Sequence, residues 1–170
     1  MDPKPSLGAT SLGWTEFGTL ASEDGPWAND TVGYGYNDAR LRSSLALSQP
    51  NAAAWTKTYG YDAAWRPQTL SSPAGQFGYT YQWASGLIGN LALPNGAYVT
   101  NNYDALGRLF STLLNNSTNA TLDAHSYGVN AAHQRTSQTL LMTNHWDYGY
   151  DVLGQMASAK IGRASCRERV

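Results

Sequence analysis

Tyr148-Gly149-Tyr150-Asp151-Val152-Leu153-Gly154 sets two rings two residues apart, then a carboxylate, then a glycine three positions on. Side chains alternate between the faces of a strand, so the two tyrosines share one face. The aspartate opens a turn, because its side-chain oxygen can accept hydrogen bonds from backbone amides two residues on. Gly154 can take the positive φ that closes such a turn. The stretch reads as strand, turn, strand. Asn102-Tyr103-Asp104-Ala105-Leu106-Gly107-Arg108-Leu109 has lost the first tyrosine but repeats the turn, with Arg108-Leu109-Phe110 beginning the return strand.

Working outward, the motif recurs along the chain. Tyr34-Gly35-Tyr36-Asn37, Tyr59-Gly60-Tyr61-Asp62 and Tyr79-Thr80-Tyr81-Gln82 keep both rings. Ser126-Tyr127-Gly128-Val129-Asn130 has lost the second. The second-ring positions are 36, 61, 81, 103, 129 and 150, spaced by 25, 20, 22, 26 and 21 residues. A loose period in the low twenties is an array of one hairpin per repeat with variable connections. Pro94-Asn95-Gly96 is the strongest hairpin signal among the connections; Ser72-Pro73-Ala74-Gly75 and Ala84-Ser85-Gly86 are weaker ones. The Asn/Ser/Thr-rich stretch from Asn115 to Thr121, which carries three overlapping or adjacent glycosylation sequons, reads as a flexible loop at a hairpin tip. Asn29-Asp30-Thr31 is a fourth sequon.

Composition agrees. Eleven Tyr, six Trp and three Phe, with seventeen Gly, favour β-structure with many tight turns. No window carries a helical period. The net charge of −1 builds no field for a polyanion, so nucleic acid is not expected as a partner. No apolar run approaches a membrane span, so this segment is not expected to insert in a membrane. Cys166 is the single cysteine, which excludes an internal disulfide framework. One hairpin cannot bury its own apolar face, so the units must stack, and the tyrosine faces are expected to form an aromatic ladder.

At these motifs the chain resembles the tyrosine–aspartate repeat family, also called RHS repeats, shared by bacterial Rhs and toxin-complex proteins and by teneurins. Tyr103 to Leu109 fits the family core fully. Tyr148 to Gly154 fits but continues with Gln155 and Met156 where the family has Arg and Leu. The Tyr61 copy carries Trp65 at the glycine position, then Arg66. Tyr36-Asn37-Asp38-Ala39-Arg40-Leu41 has a shortened or shifted turn, and Tyr79-Thr80-Tyr81-Gln82 lacks the Asp. The stretch from Gly13-Trp14 to Asp30-Thr31 is similar to segments that precede repeats in this family. The last ten residues, 161–170, resemble the translation of a sequencing-library adapter; a basic, disordered natural terminus is the alternative. The domain reading is a flexible segment over 1–13, about six imperfect repeats over 14–160, and a non-native or disordered tail over 161–170.

The resemblance implies an all-β, antiparallel β-hairpin repeat strip, a fragment of a coiled β-sheet shell. Such a segment is structural and non-enzymatic. Its partners would be other repeats of the parent chain, and an encapsulated effector or a cell-surface carbohydrate. The parent would be secreted or cell-surface associated. The chain is expected to be incomplete at both ends and to self-associate, because terminal strands are unpaired edges. The alternative reading is a carbohydrate-binding repeat module, which requires Tyr61, Tyr103 and Tyr150 to be exposed. A glycoside hydrolase would need two carboxylates ~5–10 Å apart in a cleft, and no pair stands out.

No catalytic, cofactor or metal residue is assigned. Asp62, Asp104 and Asp151 recur at one repeat position, which is the mark of a turn role, since an active site is needed once. Asp38, Asp104 and Asp147 form no calcium-type cluster. His125, His133 and His145 lack metal-ligand spacing and read as surface or half-buried strand residues. Arg66 and Arg108 follow the turns and are expected to pair with the turn Asp or to lie over a neighbouring tyrosine.

Overall fold

The computed structural model describes residues 8–49, 52–141 and 144–162. Those residues form fourteen β-strands and no helix, and every described pairing is antiparallel, between strands consecutive in the chain. The chain divides into two compact units, Met1–Gly78 and Tyr79–Val170.

The first unit holds β1 (Ser11–Trp14), β2 (Leu20–Asp24), β3 (Val32–Tyr36), β4 (Arg42–Gln49), β5 (Ala52–Tyr61), β6 (Pro67–Ser72) and the start of β7 (Gly75–Tyr81). The second holds the end of β7, then β8 (Ile88–Ala92), β9 (Tyr98–Tyr103), β10 (Leu109–Asn115), β11 (Thr121–Val129), β12 (Arg135–Leu140), β13 (His145–Tyr150) and β14 (Met156–Gly162). Within each unit the aspartate-type turns lie along one edge of the sheet, and the connecting turns lie along the other.

The two faces differ in kind. In the first unit, one face carries Tyr34, Leu45, Lys57, Tyr59, Leu70 and Phe77. The other carries Gly33, Gly35, Ser44, Ala46, Thr58, Thr69 and Ser71, as the alternation and the strand register require. No second layer covers either face among the described residues, so burial is shallow. Among the described residues, Ala97 and Asn115 alone are buried, at 7% and 8% exposure. Cohesion therefore rests on backbone ladders and cross-strand side-chain pairs rather than on a packed interior.

Strand limits differ from the expected boundaries. β1 opens at Ser11, inside the segment read as flexible. β14 runs to Gly162, with Trp146 facing Ile161 and His145 facing Gly162. Backbone pairing needs no particular side chain, so two residues of the adapter-like tail extend the ladder. Residues 1–7 and 163–170 lie outside the described ones. The Asn115–Thr121 stretch is not a flexible loop. It is a tight turn in which Asn116 Oδ1 accepts from the amides of Thr118 and Ala120 at 3.0 and 2.9 Å. The long repeat spacing there comes from the seven-residue β10 and nine-residue β11.

Candidate functional site

The recurrent feature of this molecule is the junction between one hairpin and the next. It starts from the turn. Six turns on the aspartate edge, beginning at Thr15, Asn37, Asp62, Asp104, Asn130 and Asp151, close in one way. The first residue donates its amide to the carbonyl of the fifth, and the fourth donates its amide to the carbonyl of the first. The fourth residue has positive φ in each: Gly18, Arg40, Trp65, Gly107, His133 and Gly154. This is a type I turn followed by a left-handed residue, with a bulge that shows as a register shift in each hairpin. The turn at Gln82 is one residue longer, with Gln82 donating to the carbonyl of Leu87 at 2.8 Å and Trp83 at φ 48°.

The first residue caps the turn with its side chain. Asp104 Oδ1 accepts from the amides of Leu106 (2.9 Å) and Arg108 (3.0 Å), while Oδ2 accepts from Arg108 Nε at 2.6 Å. Asp62 does the same with Ala64, Arg66 and Arg66 Nε. Asp151 Oδ1 accepts from Leu153 and Gln155. Asn37 and Asn130 keep the bond from the fifth amide. Arg66 and Arg108 thus pair with the turn carboxylate, one of the two expected contacts. The Arg66 side chain, then its amide, holds Asp62 below the usual carboxylate range. At Asp104 the Arg108 amide is the largest cause of the same lowering, against an opposing desolvation. Arg42 lies 4.6 Å over Tyr34, and Arg135 lies 3.8 Å over Tyr127.

From the turn, the second tyrosine reaches back to the preceding hairpin. The hydroxyls of Tyr36, Tyr61, Tyr103 and Tyr150 donate to the carbonyls of Leu20, Arg42, Ile88 and Arg135, at 2.9, 2.7, 3.1 and 2.7 Å. Each acceptor is the residue that begins the preceding return strand. Of the first tyrosines, Tyr34 donates to Glu23 and Tyr148 to Gln138, from β2 and β12 respectively. The Glu23 carboxylate raises Tyr34 above the usual phenol range. The expected ring-on-ring ladder is thus replaced by a hydroxyl clasp. Ring stacking is seen between His125 and Tyr127, at 6.4 Å.

The residue between the two rings faces the other side and fits a hydroxyl-bearing partner. A Cβ on Gly35, Gly60, Gly128 or Gly149 would stand 2.3 to 2.6 Å from the side-chain oxygen of Ser44, Thr69, Ser137 or Ser158. These are their register partners, nine positions on. Gly13 and Ser22 make the same pair, with Trp14 and Thr15 in the places of tyrosine and aspartate. The stretch read as preceding the repeats is itself a repeat, so seven such hairpins lie among the described residues. Its signal in sequence was the glycine–serine separation of nine, not the rings. At Asn102 the glycine is absent and Nδ2 donates to Ser111 Oγ at 2.9 Å.

The histidines of β11 and β13 are tied into the sheet. His125 contacts Asp123 (3.1 Å) and Gln138 (3.0 Å), and His145 contacts Asp147 and Thr139, both at 2.9 Å. These i, i+2 His–Asp pairs went unread in the sequence. His133 is a turn residue. Among the described residues, no three of His, Cys, Asp and Glu gather as metal ligands would. The arrangement assembles hairpins.

No protein-family model matches the chain, and no curated protein matches it significantly in sequence. Solved structures do match its fold. Over 84% of this chain and 8% of theirs, it superposes on the Photorhabdus luminescens Tc holotoxin pore with a mutant TccC3, with a TM-score of 0.68 at 16% identity. Against TcdB2-TccC3 without its hypervariable C-terminal region, the TM-score is 0.74 at 13% identity, over 90% of this chain and 9% of that one. Against TcdB2-TccC3 it is 0.51 at 13% identity, over 88% and 10%. The chain therefore spans about a tenth or less of the toxin-complex chains whose local fold it shares. Those chains are of the kind to which the Tyr-x-Tyr-Asp motifs pointed.

Proposed function

We propose that this chain is a non-catalytic stretch of wall in a larger toxin-complex-like protein, whose complete strip encloses or presents a C-terminal effector outside the producing cell. The observation that carries the reading is the uniform junction: every described return strand meets the next hairpin in one register, and the hydroxyls of Tyr36, Tyr61, Tyr103 and Tyr150 clasp such junctions. A device repeated once per hairpin builds length. Catalysis would need a single convergent site. The likeness of the local fold to TcdB2-TccC3 supports the wall.

The carbohydrate-binding alternative is less well supported. Tyr61, Tyr103 and Tyr150 are half-buried and their hydroxyls are engaged by backbone carbonyls. The test is limited proteolysis of the full parent polypeptide. The expected result is a C-terminal segment protected until the wall is denatured. A C-terminal segment cleaved as fast in the native parent as in the denatured one would overturn the reading.

A further inference from the structure

One cavity interrupts the uniformity of the turns. It has a volume of about 710 Å3 and lies between the Thr15 and Asn37 turns, against Tyr36. Cavities of this size hold small ligands. Its walls are already committed. The Tyr36 hydroxyl donates to the Leu20 carbonyl, Thr15 Oγ1 contacts Thr19 Oγ1 at 2.7 Å, and Asn37 Oδ1 accepts from the Leu41 amide. Its rim is not. Glu16, Phe17, Asp38 and Arg40 are exposed. Among the described residues, neither the Glu16 nor the Asp38 carboxylate has an ion-pair partner. Arg40 reaches from the second turn to the first, with its guanidinium carbon 4.9 Å from the centre of the Phe17 ring.

These rim residues do not recur. The second place of the turn is Glu16 and Asp38 here, but Ala63, Ala105, Ala131 and Val152 in the other turns of the same closure. The third place is aromatic only in Phe17 and aliphatic in the rest. Arg40 holds the left-handed fourth place at φ 60°, where glycine would sit without strain. Small apolar residues suffice at these places elsewhere, so the turn itself does not call for the charges. Side chains that the turn does not need, gathered once around a cavity, point to a ligand.

We propose that this cavity binds a neutral sugar, a hexopyranose unit of an oligosaccharide. Each carboxylate can accept from hydroxyls, the guanidinium can donate to hydroxyl or ring oxygens, and Phe17 offers an apolar surface to the C–H face of the sugar. The mixed charge of the rim disfavours an ion of either sign, since a cation meets Arg40 and an anion meets Glu16 and Asp38. A neutral ligand rich in donors and acceptors satisfies all three. This is one site, separate from the tyrosines whose engagement weighs against a repeat module. Its walls come from the β1–β2 and β3–β4 hairpins, so it stays in place when further hairpins continue the sheet. It is also independent of what the parent encloses.

The test is saturation-transfer difference NMR of the 170-residue chain with maltose, lactose and N,N′-diacetylchitobiose, each at millimolar concentration. At least one disaccharide is expected to receive saturation. The combined variant Glu16→Ala, Asp38→Ala, Arg40→Gly installs residue types that the other turns already carry, so it should keep the amide dispersion of the folded chain. It should weaken binding about tenfold or more. Trp65→Gly, which removes an exposed ring from a turn outside the cavity, should leave the affinity unchanged. Three results would each overturn the proposal. One is that none of the disaccharides receives saturation. Another is that the folded combined variant binds as the parent sequence does, or that Trp65→Gly weakens binding as much. The third is that tetramethylammonium receives saturation while no sugar does, which would assign the rim to a cation. None of these outcomes bears on the parent's protease protection.

Discussion

The Asp104 and Asp62 hairpins hold their carboxylates alike, each with two amides and an arginine Nε, yet they differ at the next two places that matter. The left-handed fourth position is Gly107 (φ 75°) in one and Trp65 (φ 61°) in the other. The residue before the second-ring tyrosine is Asn102, bonded to Ser111, in the first and Gly60, pressed against Thr69, in the second. The left-handed turn therefore does not depend on glycine. The side-chain cap and the strand register impose it, and glycine lowers its cost. Nor does the inter-ring place demand glycine by itself; it demands a pair whose combined bulk fits.

The comparison can be broken most forcefully at the fourth position. Gly107→Val puts a β-branched side chain at positive φ, 3.4 Å from Leu87 Cδ1 at its Cβ, and should cost about 2 kcal/mol in chemical denaturation. Trp65→Gly should act in the opposite direction, a gain of about 1 kcal/mol, because the side chain it removes is 65% exposed. A loss of stability in Trp65→Gly would mean that the two turns are not equivalent.

Next comes the inter-ring pair. Gly60→Asn should cost about 1.5 kcal/mol, since Thr69 Oγ1 stands 2.3 Å from the new Cβ. Adding Thr69→Ser recreates the Asn102–Ser111 pair and should recover about half of that loss in a double-mutant cycle. Strict additivity would show that bulk is not shared across the pair.

The hydroxyl clasp gives a smaller difference. Tyr61→Phe should cost about 1 kcal/mol and Tyr103→Phe about half as much. The reason is that Asn101 Nδ2 also donates to the Ile88 carbonyl, at 3.1 Å, and keeps it bonded when the Tyr103 hydroxyl is gone. A larger loss at Tyr103 would sink this explanation.

The smallest effect is that of pH. Asp62 and Asp104 are both lowered from 3.8. Their contribution is complete above the ordinary carboxylate value and is lost as pH falls through the lowered one. The melting temperature should therefore decline in acid below about pH 4. In Asp62→Asn with Asp104→Asn that decline should flatten. Asn37, Asn116 and Asn130 already cap turns, so the turns should persist in the double variant. An unchanged acid profile would mean that other groups set it.

The strands, the turn type and the register of rings to one face were legible because each depends on residues within five or six positions of one another. Asp104 and Gly107 carried the turn, and Pro94-Asn95-Gly96 carried a connection. Arg40, Trp65 and His133 at positive φ were not legible, since nothing local favours a left-handed conformation there. The Thr15 hairpin escaped notice because it lacks both tyrosine and aspartate. The Asn116 turn was read as loose because its composition is polar, although that same asparagine oxygen binds two amides.

By itself, the order of residues determined that this chain is a succession of antiparallel hairpins. Alternation along a strand and a capped bend are short-range physics that survive any arrangement of the neighbours. What joins one hairpin to the next was decided only in three dimensions. A hydroxyl finds a carbonyl 15 to 19 residues away, and a glycine finds its serine, only once neighbouring strands have settled into one register. Register is a property of the ladder of backbone hydrogen bonds between strands, and no single segment contains it.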